Sequence, residues 1–80
     1  MLILGQDKGI IVNINSVDGV VIDKEFDFTI KNDNYCKIRA VTDNIWTLGE
    51  YKTEQRAQEV LREILKHYAK NENVFEMPEE

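Results

Sequence analysis

Cysteine, histidine, serine and proline are each too scarce in this chain to build the sites that depend on them. Cys36 is the single cysteine, so no disulfide can close within the chain. With His67 as the single histidine, an ordinary intrachain zinc site, which takes three or four such ligands, is excluded. Ser16 is the lone serine, in a turn far along the chain from His67, so a serine triad has no basis. No apolar run approaches the roughly 18 residues of a membrane-spanning helix. The N-terminus lacks a basic region followed by a cleavage site. These absences point to a soluble, cytoplasmic protein without cofactors. The chain also lacks a basic surplus. Its net charge is −5, and residues 71–80 carry four glutamates with no lysine or arginine. The other seventy residues are nearly balanced, which argues against a nucleic-acid-binding surface. Eighty residues make one small domain, which buries only about 60–65% of its unfolded surface.

What is present begins with an amphipathic helix. Ala57, Val60, Leu61, Ile64, Leu65 and Tyr68 recur at the spacing of one helical stripe. Thr53 suits the N-cap, and Glu54 favours the positive end of the helix dipole. Lys66, His67 and Lys70 suit the other end, and Asn71 suits a left-handed stop.

Residues 2–51 read as strands divided by turns. A buried even face would gather Leu2, Leu4, Ile10, Val12, Ile14, Val20, Ile22, Phe26, Phe28, Ile30, Cys36, Ile38, Ala40, Trp46 and Leu48. Pairing Leu4 with Val12, Phe28 with Ile38 and Ala40 with Trp46 leaves three-residue loops. These are Asp7-Lys8-Gly9, Asn32-Asp33-Asn34 and Thr42-Asp43-Asn44, each ending in a residue that tolerates the left-handed conformation. Lys24 interrupts the even face and marks a bend or bulge. The expected fold is therefore α+β: an antiparallel meander of about five strands, with one C-terminal amphipathic helix on one face. Residues 1–70 form the domain, and 71–80 form an acidic tail able to add a strand or reach another subunit.

The odd face carries Ile3, Ile11 and Val21, and the tail adds Val74, Phe75 and Met77. With one helix covering one face, these six residues are the expected contact with a partner or another subunit, and a homo-oligomer is expected.

Candidate chemistry is sparse. Cys36 is expected to be a buried, inert thiol. Asp23, Glu25 and Asp27 alternate on one strand face and suit a divalent cation, but a solvated strand face paired with Lys37 and Arg39 across the sheet is the favoured reading. A metal-dependent nuclease resting on that trio is the minor enzymatic reading, so no metal site and no catalytic residue are assigned. The loop Gly5-Gln6-Asp7-Lys8-Gly9 lacks P-loop spacing and reads as a hairpin turn. Trp46, Arg39, Tyr35 and Tyr51 are the side chains suited to a planar or phosphorylated ligand, and Arg39, Lys37, Gln6, Asp7, Lys8 and Trp46 form the expected ligand set. Trp46 is expected to anchor the helix, and Tyr51 to form the strand–helix corner.

Ile3-Leu4-Gly5-Gln6-Asp7-Lys8 with Ile11-Val12-Asn13 at the start, Leu48-Gly49-Glu50-Tyr51-Lys52-Thr53-Glu54 running into Arg56-Ala57 and Val60-Leu61, and Phe75-Glu76-Met77-Pro78 at the end form a pattern over nearly the whole chain. It resembles small proteins encoded by phages and prophages of Gram-positive bacteria. Gly5 stands where that resemblance implies serine. The resemblance implies a non-enzymatic binding protein in the host cytoplasm, in counter-defence. Two modes of action are expected. One sequesters a small nucleotide-type signal at a homo-oligomer interface. The alternative inhibits or adapts a host protein through the aliphatic patch and acidic tail.

Overall fold

The structure is a computed structural model that describes the backbone of residues 1–26 and 34–80 and the side chains of 1–23 and 36–80. Six strands and one helix follow in the order β1 (Leu2–Leu4), β2 (Ile11–Asn13), β3 (Gly19–Phe26), β4 (Asn34–Val41), β5 (Ile45–Tyr51), α1 (Glu54–Ala69) and β6 (Val74–Glu76), with a 3₁₀ turn at Ile14–Ser16. The fold is α+β as expected, but the single meander is not. One sheet has the order β2-β1-β6 and the other β3-β4-β5. The second runs antiparallel throughout, whereas β6 lies parallel to β1.

Helix α1 forms where the apolar stripe placed it. Thr53 Oγ1 accepts from Arg56 N–H at 3.1 Å, and Asn71 takes a left-handed φ of 59° just beyond the helix. Ala57, Val60 and Ile64 are buried against the second sheet, which presents Cys36, Ile38, Ala40 and Leu48. The stripe is narrower than its sequence implies. Leu65 is 67% exposed and Tyr68 also faces outward.

Strand registers agree with the sequence in one hairpin and depart from it in two. Ala40 pairs with Trp46, and Thr42 N–H closes the turn on the Asn44 carbonyl. In the first hairpin Val12 pairs with Ile3 and Leu4 with Ile11, one residue away from the expected Leu4–Val12 pairing. The slip turns odd residues of β1 inward, so Ile3 is fully buried and Leu2 is exposed. Lys8, not Gly9, holds the left-handed position there. Asp7 supports the turn by accepting from Gly9 N–H. Ile38 pairs with Ile22 instead of Phe28, which together with Ile30, Asn32 and Asp33 lies outside the described residues.

A bulge in β5 changes which side chains face inward. Ile38 faces Gly49 and Arg39 faces Thr47, leaving Leu48 as the extra residue. Before the bulge even residues point to the helix; after it Tyr51 does, and the tyrosine is buried in the core. Its ring lies over Gly49, where a Cβ would sit 3.0–3.3 Å from the phenol atoms. Trp46, ahead of the bulge, stands at the sheet's end and is 44% exposed, so it does not anchor the helix.

The residues after α1 belong to the folded core instead of forming a separate tail. Val74 pairs with Leu2 and Phe75 with Ile3, flanked by Leu2 N–H to Asn73 O at 2.8 Å and Met77 N–H to Leu4 O at 3.0 Å. Phe75 and Met77 are buried beside Ile3, while Val74 faces out. No helix among the described residues is long and apolar enough to cross a membrane.

Candidate functional site

The six side chains expected to hold a ligand do not converge. Arg39 and Lys37 stand two residues apart on β4, on the face of the second sheet away from α1. There Arg39 bonds Asp23 at 2.7 Å, and Lys37 lies 3.7 Å from Glu50. This is the cross-strand pairing that competed with a metal site. Among the described residues no three His, Cys, Asp or Glu side chains gather as metal ligands. Asp27 and the Glu25 side chain lie outside them.

Gln6, Asp7 and Lys8 serve the fold. The Gln6 backbone N–H donates to Leu48 O at 2.8 Å. Its side-chain amide accepts from Glu50 N–H at 2.8 Å and donates to Glu50 O at 3.1 Å, like one more residue beside β5. The same amide nitrogen donates to Pro78 O at 3.2 Å and Glu79 O at 2.8 Å. Lys8 lies 3.6 Å from Glu76 in an exposed pair. Trp46 lines a different hollow, with Ile11, Val12 and Val17.

Tyr51, which the sequence offered as a ligand contact and as the strand–helix corner, and Arg56, which it did not single out, complete the arrangement around Gln6. Tyr51 OH donates to Pro78 O at 2.8 Å, and Arg56 Nε donates to Glu80 O at 2.9 Å. Three successive carbonyls, at 78, 79 and 80, are thus held by three side chains from the Gln6 loop, β5 and α1. A hollow of about 400 Å³ continues beside them, lined by Lys52, Thr53 and Arg56. Burial pushes the Tyr51 phenol from its ordinary 10.0 up to about 12, with Arg56 pulling it down and Glu63 adding to the rise. A phenol so held is a neutral donor at neutral pH. Gly49, two residues before Tyr51 on the same strand and of a type that admits a bulge or a close neighbour, signals this placement in the sequence.

The expected contact set also divides. Ile3, Phe75 and Met77 are core residues and are not available to a partner. Ile11, Val21 and Val74 are exposed. Ile11 is 64% exposed, and it shares a hollow of about 290 Å³ with Trp46, Val12 and Val17. Val17 also lines a second hollow, of about 370 Å³, with Ile14, Val20, Leu61 and Leu65. The two hollows adjoin at Val17, between α1 and the start of β5. Leu65 and Val17 were missed as surface residues because helical spacing cannot say how far a sheet extends. No family model, curated protein or solved structure matches the chain.

Proposed function

We propose that this chain is a non-catalytic interaction protein whose apolar side docks on another protein. The carrying observation is a pair of largely apolar hollows that adjoin at Val17, one reaching Leu65 and the other Ile11 and Trp46. Monomeric soluble proteins rarely expose contiguous apolar area beyond a few hundred Å². A rigid tryptophan flanked by aliphatic hollows is the usual anatomy of an interface anchor. The resemblance to small phage-encoded proteins supplies the setting, in which the partner is a host protein and the outcome is inhibition or adaptation. The part of the reading that used the acidic tail is dropped, since Phe75 and Met77 are buried in the core and hold the segment along β1.

A double variant, Trp46→Glu with Leu65→Glu, tests this. Both side chains are already exposed, so the fold and its far-UV circular dichroism should be unchanged. Affinity capture from host extract should lose a protein that the native chain retains. If a second copy covers the surface, the native chain should run as a dimer in light scattering and the variant as a monomer. A variant that keeps both the solution mass and the captured proteins of the native chain refutes the proposal.

The other reading, capture of a nucleotide-type signal at a subunit interface, rests on Lys37 and Arg39 standing two residues apart on the face of β4 away from α1, where both side chains are largely covered. Several chains can place such pairs around one pocket, which a single copy does not form. Native mass spectrometry with a pool of nucleotide second messengers discriminates the two. A ligand mass that appears on an oligomer and disappears in Arg39→Ala favours capture.

A further inference from the structure

The segment after α1 occupies its place as a ligand occupies a groove. It lies extended and parallel along the edge of β1, with two apolar side chains two positions apart, Phe75 and Met77, sunk into the core. This is strand addition, in which backbone bonds give attachment and alternate side chains give selectivity. Beyond Met77 the recognition passes to backbone carbonyls, which Tyr51, Gln6 and Arg56 receive irrespective of the side chains on them. Lys8 faces Glu76, matching the segment's acidic character.

Only four residues, Lys70–Asn73, connect this segment to the helix. They reverse the chain through left-handed Asn71, with Glu72 N–H on the His67 carbonyl and the Glu72 carboxylate paired to His67 Nδ1. His67 in turn packs edge-on against Phe75, ring centres 4.9 Å apart. The groove contacts and the hinge contacts are thus separable: the first depend on what fills the groove, the second on which chain it comes from.

We propose that the groove formed by β1, the Gln6 loop, Tyr51 and Arg56 is an acceptor for the C-terminal segment of a second copy of this chain. A second copy carries, by identity, a segment with the same two anchors at the same spacing and the same acidic end. Exchange preserves every groove contact and gives up only those of the hinge. This is the condition under which swapped dimers form at low cost. The apolar side at Trp46 takes no part, so this association is independent of docking there.

Removing Asn71 and Glu72 from the full chain tests the inference, because the shortened hinge can no longer reverse within one copy. The expected product is a folded dimer of twice the chain mass, and adding Phe75→Ala should return it to monomer. A second measurement uses a fluorescent peptide of residues 73–80 against the full-length chain. In the native chain the resident segment competes at high effective concentration. Phe75→Ala in the chain, by emptying its own groove, should tighten peptide binding at least about tenfold, since apparent affinity follows the fraction of open groove. A folded monomer from the deletion, a dimer that survives Phe75→Ala, or equal peptide affinity for the two chains overturns the proposal.

Discussion

Replacing Tyr51 by phenylalanine measures what the bulge in β5 accomplishes, and its effect should change sign with pH. The hydroxyl is buried and donates to Pro78 O at 2.8 Å, which fastens β5 to the last residues of the chain. Its removal does not orphan the acceptor, because Gln6 Nε2 still donates to Pro78 O at 3.2 Å. The loss at pH 7 is therefore that of one neutral hydrogen bond, about 1 kcal/mol. At high pH the native tyrosine becomes a liability. Its pKa is 10.0 when solvated and about 12 in the fold, so the unfolded chain ionises first. The raised value means full stability below pH 10 and a decline as pH rises from 10 through about 12. The decline amounts to on the order of 2 kcal/mol. Phenylalanine has no such decline. The native chain should lead by about 1 kcal/mol at neutral pH and trail by a similar amount near pH 12. Urea unfolding followed by the circular dichroism of α1, repeated from pH 7 to 12, reads the difference. A stability gap that stays constant across that range refutes the placement of Tyr51.

Met77→Ala should cost about 2–4 kcal/mol in urea unfolding, as for other buried methionines, whereas Val74→Ala one strand position away from Phe75 should stay within about 0.5 kcal/mol. Equal costs would mean that β6 does not alternate between core and solvent as described. Thr53→Ala should lower stability by about 1 kcal/mol through loss of the bond to Arg56 N–H, and Thr53→Ser should restore most of it. Gly5→Ser, the residue implied by the resemblance, places a Cβ only 2.5 Å from Ile10 Cγ2. It should destabilise by about 1–3 kcal/mol through overpacking, with partial recovery when Ile10→Ala is added. A neutral Gly5→Ser would show that Ile10 moves aside freely.

How much was legible depended on how much periodicity each segment carries. Sixteen residues of α1 repeat their apolar positions over four turns, and both ends bear cap residues, so its limits could be read directly. In β4, Cys36, Ile38 and Ala40 alternate with charged neighbours, and their burial followed. Strand β1 offers no such contrast. It is three residues long and reads Leu-Ile-Leu, so either face satisfies the hydrophobic pattern. Its inward face was settled instead by pairing on both sides, with β2 and with a parallel strand some seventy residues away. The bulge in β5 broke the even-residue rule for a different reason: one inserted residue reverses every side chain beyond it. Gly49 was its trace in the sequence, and the tyrosine two residues later its consequence.

The candidate site was harder to read because polar residues in loops look alike whether they bind ligands or brace the fold. Gln6 stood out as a polar side chain in a glycine-flanked turn, which is equally the description of a ligand contact. A primary amide carries one acceptor and two donors, the same groups a peptide unit offers. Gln6 uses them as a peptide would, filling the place beside Glu50 and then reaching the carbonyls at 78 and 79. Lys8 was drawn into the same region by the acidic residues that follow α1. The residues free to meet a partner are instead those whose hydrophobicity exceeds what the chain can cover, Leu65 on the helix and Ile11 and Trp46 at the sheet ends. A stripe too wide for its own sheet is visible in the sequence only once the sheet's extent is known. The proposed docking side therefore rests on topology: among the described residues, Leu65 and Tyr68 on that flank of α1 stay exposed beside the second sheet.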